Sequence, residues 1–126
     1  MALIDADPFS NRVIGCAIEV HRTLGPGLLE SIYETALCHE FDDAGLGFVR
    51  QQKVPVNYKG RSLDCDLRMD VVVENSLVVE VEAVQALMPL HEAQLLTYMK
   101  VGHFRAGLLL NFNRARMAGG IRRCLL

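Results

Sequence analysis

The sequence predicts an α/β fold in which helices flank a mixed sheet, and three observations carry that reading. Apolar residues recur at helical spacing up to Gly45, then at a period of two between Val54 and Val84. A solid apolar run from Ala106 to Phe112 then reads as a strand covered on both faces.

Taken in order, Ser10 is the expected N-cap of a first helix running to about His21, with Val13, Ala17 and Val20 on one stripe. Leu24-Gly25-Pro26-Gly27 breaks it, since two glycines and a proline do not continue a helix. A second helix is expected from about Leu28 to Ala44, with Gly45 as C-cap and Leu29, Ile32, Tyr33, Ala36, Leu37 and Phe41 as its buried stripe. Val54, Val56 and Tyr58 alternate with polar residues ahead of a Lys59-Gly60 turn. In the next strand Leu63, Cys65, Leu67, Met69 and Val71 are expected on one face, and Asp64, Asp66, Arg68 and Asp70 on the other. After a Glu74-Asn75-Ser76 turn, Leu77 to Val84 returns with Val79 and Val81 on one face and Val78, Glu80 and Glu82 on the other. Pro89 opens a third helix that Gly102 ends, and Gly119 to Leu126 adds a short edge strand. The order is α-α-β-β-β-α-β, in one domain spanning 1–126.

Composition narrows the function classes. The chain is 51% hydrophobic and 22% charged, ordinary for a globular protein. No apolar run approaches the roughly 20 residues that a membrane helix needs, and MALIDADPFS is unlike a secretory signal. Cys16, Cys38, Cys65 and Cys124 form no CxxC pair, so reduced thiols in a cytoplasmic protein are the expectation. A formal charge of −2 argues against coating nucleic acid by bulk electrostatics. Even so, Arg105, Arg114, Arg116, Arg122 and Arg123 crowd the end of the chain, while Asp64, Asp66, Asp70, Glu74, Glu80 and Glu82 fill its middle. That asymmetry fits phosphates held near a metal, and equally a solvated surface.

With a three-residue turn between their strands, Asp70 and Glu80 sit opposite each other and share a face with Glu82, Val72 and Val78. Like charges so placed repel, and Mg2+ or Mn2+ would neutralise them while acidifying water for phosphodiester hydrolysis. The alternative is a sheet surface carrying unpartnered acids. Glu30 in the first turn of the second helix is explained by the helix dipole alone. His91, Gln94 and Tyr98 share one stripe of the third helix, where His91 is expected to be structural. Gln94 and Tyr98 there either orient water or phosphate, or pack over the sheet.

At these residues the chain resembles the bacterial GxxExxY proteins, a branch of the PD-(D/E)XK nuclease superfamily. The resemblance runs through Gly27-Leu28-Leu29-Glu30-Ser31-Ile32-Tyr33, Tyr58-Lys59-Gly60, Arg68-Met69-Asp70, the Glu80 strand, His91 to Tyr98, and Gly107 to Phe112. It implies a restriction-endonuclease-like αβββαβ core, with Asp70, Glu80 and Glu30 at a Mg2+ or Mn2+ ion. It also implies that Gln94 and Tyr98 stand for the helical QxxxY element beside the site, and that Tyr33 is the signature tyrosine. The family pattern E-x-K is here Glu80-Val81-Glu82, so the lysine that orients the attacking water is replaced by an acid. Two functions follow as expectations. One is a metal-dependent nuclease for DNA or RNA, acting through Asp70, Glu80, Glu82, Glu30, Gln94 and Tyr98. The other is a catalytically impaired module that binds nucleic acid or a protein. A homodimer would place two such sites along one duplex.

Overall fold

The computed structural model describes residues 7–126; Met1 to Ala6, the start of the stretch read as unlike a secretory signal, lie outside them. Helices α1 (Pro8–Leu24) and α2 (Glu30–Asp43) precede β1 (Phe48–Lys53), and a small hairpin follows, β2 (Val56–Tyr58) with β3 (Arg61–Leu63). Next come β4 (Arg68–Val73), β5 (Leu77–Glu82), α3 (Pro89–Gly102), β6 (Ala106–Asn111), a 3-10 turn (Met117–Gly120) and β7 (Ile121–Leu125). The sheet order is β1-β4-β5-β6-β7, with only the β5–β6 pair parallel. A mixed sheet flanked by helices is thus the architecture, consistent with a restriction-endonuclease-like core.

The period-two valines divide two hydrophobic cores. Val71, Val73, Val79, Val81, Leu108 and Leu110 pack with α1 and α2. Val72, Val78 and Leu109 face α3, where Leu95, Tyr98 and Met99 cover them. Because β6 is buried along its whole length between β5 and β7, its run of leucines needs no alternation.

Several expected boundaries move. The first helix is capped by Asp7, whose carboxylate accepts the Phe9 N–H at 3.0 Å, and Pro8 fits the first turn. Ser10 lies buried inside the helix instead. The α2 stripe is rotated: Leu29 is 72% exposed and Ile32 is exposed too, while Glu34 and Cys38 are buried beside Tyr33, Leu37 and Phe41. Packing against the sheet and α1 decides which face is buried. The first sheet strand is β1, ahead of Val54, because Pro55 cannot donate to a ladder and ends it. No strand runs from Leu63 into β4: residues 64–67 are irregular, Asp66 has φ 47°, and Cys65 is exposed. Met69 and Val71 fall into different cores, since the β1–β4 ladder is distorted at Gln51, which has φ 52°.

Candidate functional site

The β4–β5 pair is joined by Glu74, Asn75 and Ser76, and its register runs Val73↔Leu77, Val72↔Val78 and Val71↔Val79. Beyond Val71 and Val79 the backbone ladder stops. Side chains take over: the Asp70 N–H donates to Glu80 Oε2 at 2.8 Å, and the Val81 N–H donates to Asp70 Oδ2 at 2.9 Å. Two carboxylates therefore cap the backbone donors of two diverging strands. β4 continues along β1, and β5 along β6. The result is a fork at one edge of the sheet whose floor is acidic.

Each acid is placed by a different element. Glu80 is 4% exposed beneath α3, while Asp70 and Glu82 are half-buried. Burial, then the charge of Asp70, pushes the Glu80 carboxyl up to about 9. Burial, then the charges of Glu30 and Asp70, pushes Glu82 up to about 7. Asp70 is also raised, chiefly by burial, against the hydrogen bond from Val81. No lysine or arginine is among the described charges acting on Asp70, Glu80 or Glu82. Lys100 lies within α3, exposed, and does not act on them.

Glu30 is exposed in the first turn of α2, and its charge is felt at both Asp70 and Glu82. The turn that presents it is fixed by Tyr33, which stacks on Phe112 at 4.7 Å. The Tyr33 hydroxyl donates to the Gly25 carbonyl at 2.6 Å and accepts the Leu28 N–H at 3.0 Å. On α3, Gln94 Nε2 donates to Tyr98 Oη at 2.7 Å, leaving the tyrosine proton free to donate. His91 serves the helix start, its Nδ1 accepting the Met88 N–H at 2.8 Å. Its Nε2 stands 4.0 Å from Glu82, beyond hydrogen-bond range.

Sequence reasoning missed three residues here. Glu34, one turn after Glu30, is buried and held by Arg50 Nε at 3.0 Å. Gln51 Nε2 bridges Glu34 Oε1 at 3.2 Å and Asp70 Oδ1 at 3.5 Å. The i, i+4 spacing from Glu30 was the one signal available for Glu34. Nothing local marks Arg50 or Gln51.

A model of the PD-(D/E)XK nuclease superfamily matches residues 7–124. The chain belongs to that superfamily. No curated protein and no solved structure matches it. PD-(D/E)XK nucleases generally use divalent metals, and the donor set here suits one. It is all oxygen, partly dry, and without a fixed cation to balance it. Among the described residues, no group of three or more His, Cys, Asp or Glu side chains is placed to hold a metal ion by itself. That is compatible with magnesium, which takes one or two carboxylates and completes its shell with water and phosphate. A cavity of about 260 Å3 lined by Asp7, Ser10, Gly107 and Arg123 among others lies at the opposite end of β6, away from these acids.

Proposed function

We propose that this chain is a bacterial, cytoplasmic GxxExxY protein forming one nuclease-like domain over 1–126, a hydrolase that cleaves phosphodiester bonds of DNA or RNA with Mg2+ or Mn2+. The observation that carries the reading is the fork, where Asp70 and Glu80 face each other with no cation to offset them. Asp70 and Glu80 hold the ion, and Glu30 holds it or its water from the helix side. The ion would polarise the phosphoryl oxygen and acidify the attacking water. Glu82 lines the fork with its carboxyl pushed up to about 7; the attacking water would give its proton to solvent as its oxygen bonds phosphorus, and the leaving oxygen would take one up as its P–O bond breaks. Tyr98, oriented by Gln94, donates to a phosphate oxygen.

Calorimetric titration of Mg2+ and Mn2+ tests this on the wild type and on Asp70→Ala/Glu80→Ala. Binding is expected for the wild type and lost in the double variant. Unchanged binding in the double variant would sink the assignment. A second reading, a nuclease-fold module that binds nucleic acid or a protein without cutting, is favoured by the sequence Glu80-Val81-Glu82, which departs from the E-x-K pattern that the resemblance implies. Salt-dependent oligonucleotide binding with no cleavage would select it. A homodimer would place two such forks along one duplex, and sedimentation reads it directly.

A further inference from the structure

Past the fork, β1 and β4 continue together through Lys53↔Arg68, and the Val54 N–H donates to the Leu67 carbonyl at 2.8 Å. They then give way to the β2–β3 hairpin, which stands at the same sheet edge as Glu82, since β4 begins where β5 ends. Its register, Val56↔Leu63 and Tyr58↔Arg61, puts these four side chains on one face and Asn57 and Ser62 on the other. Neither hydrophobic core includes the hairpin. Tyr58 is 57% exposed and Leu63 41%. Lys59 and Gly60 turn the chain with φ 50° and 78°, and Lys59 Nζ lies 5.4 Å from the Tyr58 ring centroid.

A two-stranded ribbon with an uncovered apolar face is marginal by itself, and such a face marks a contact surface. Its chemistry selects the partner. A tyrosine ring beside an arginine plane is a stacking platform for unpaired bases, and Lys53, Lys59 and Arg61 supply cations for the backbone. Among the described residues none of these three is in an ion pair, whereas Asp66 is tied to Arg68 at 3.4 Å. We propose that the β2–β3 hairpin is an arm that grips single-stranded nucleic acid, stacking a base on Tyr58 and Arg61 and guiding the strand towards the Asp70–Glu80 fork. This rests on the nuclease reading for the destination of the strand, and not for the grip itself.

Fluorescence anisotropy of short labelled single-stranded DNA and RNA, and of the matching duplexes, tests the arm in EDTA, where no cleavage occurs. Single strands are expected to bind more tightly than duplexes. Tyr58→Ala should weaken binding about tenfold and Tyr58→Phe should restore it, because every base offers a π-face. Lys59→Ala/Arg61→Ala should flatten the dependence of log K on log salt by about 1.4, at roughly 0.7 per lost contact on a single strand. All three variants should keep the wild-type metal affinity. Equal binding by wild type and Tyr58→Ala overturns the arm even if the wild type cleaves with metal. So does wild-type protein that takes up Mg2+ yet binds no oligonucleotide. Tyr58-dependent binding in EDTA, with no cleavage when Mg2+ or Mn2+ is then added, upholds the arm and removes the nuclease reading alone.

Discussion

Glu82 is the residue on which the chemistry turns. A lysine in its place would bring a positive charge to a fork that has none. Under the nuclease reading Glu82→Lys should raise cleavage by on the order of 10²–10³, the usual worth of one preorganised electrostatic contact. If the substitution instead abolishes a robust wild-type activity, Glu82 is itself the base or a ligand. Cleavage of a labelled oligonucleotide reads both. Glu80 makes a pH prediction. Its carboxyl binds a proton more tightly folded than unfolded, from an ordinary 4.5 to about 9. Its contribution to stability is therefore fully present below about pH 4.5 and is lost as the pH rises through 9. Metal-free protein should lose Tm across that range, by roughly 4 °C for each kcal/mol at this length. Glu80→Gln, which carries no proton to lose, should flatten the profile and melt higher than wild type above neutral pH.

At the scale of elements, the site depends on joints between segments distant in sequence. Tyr33 locks the 25–28 turn to α2, so Tyr33→Phe keeps the Phe112 stack but removes two hydrogen bonds. A loss of about 1–3 kcal/mol in urea melts is expected, because the Leu28 N–H and Gly25 carbonyl lose their partner. Metal affinity should fall with it, since that turn presents Glu30. On the other side, Asn111 clamps the exit of β5, accepting the Val84 N–H at 3.0 Å and donating to its carbonyl at 2.9 Å. Gly120 closes against the same residue: a Cβ there would lie 2.0 Å from the Asn111 carbonyl oxygen. Gly120→Ala must shift backbone, and a lower denaturation midpoint corresponding to about 1–3 kcal/mol is expected.

For the whole molecule, the arrangement of charge matters more than its sum of −2. β5 and β6 run parallel, so their C-terminal ends bring Glu82 and the Asn113–Arg116 loop to one edge, with the β2–β3 hairpin at the same edge. His21 ties that loop to α1 through the Arg114 carbonyl at 2.7 Å. Among the described residues no helix is long and apolar enough to cross a membrane. A bound divalent ion should stabilise the entire fold by mass action, about 2.7 kcal/mol at a hundred times its Kd. The gain should be larger at pH 8 than at pH 5, where protons compete for Glu80 and Glu82. Scanning calorimetry with and without Mg2+ at both pH values reads it. A gain that persists in Asp70→Ala/Glu80→Ala would place the ion elsewhere.

The sequence alone determined the three helices, the β4–β5 hairpin and the apolar β6, the break at Gly25 to Gly27, and the opposition of Asp70 and Glu80, but not β1 or the β2–β3 hairpin. These depend on local rules: periodicity, turn-forming residues, and the fixed alternation of a strand across a three-residue turn. Gln94 and Tyr98 were legible as neighbours on one stripe of the third helix, and Glu30 as a residue of the first turn of the second. Only the tertiary structure decided which face of α2 is buried, where the strand ahead of Asp70 begins, and that Gln51 reaches Asp70 while Arg50 holds Glu34 beside it. Those outcomes rest on packing and on a distortion at Gln51, a residue with no side-chain preference for φ 52°. Contacts across α2, β1 and β4 override the local signal there, because burial and hydrogen bonding between distant segments outweigh the propensity of one residue.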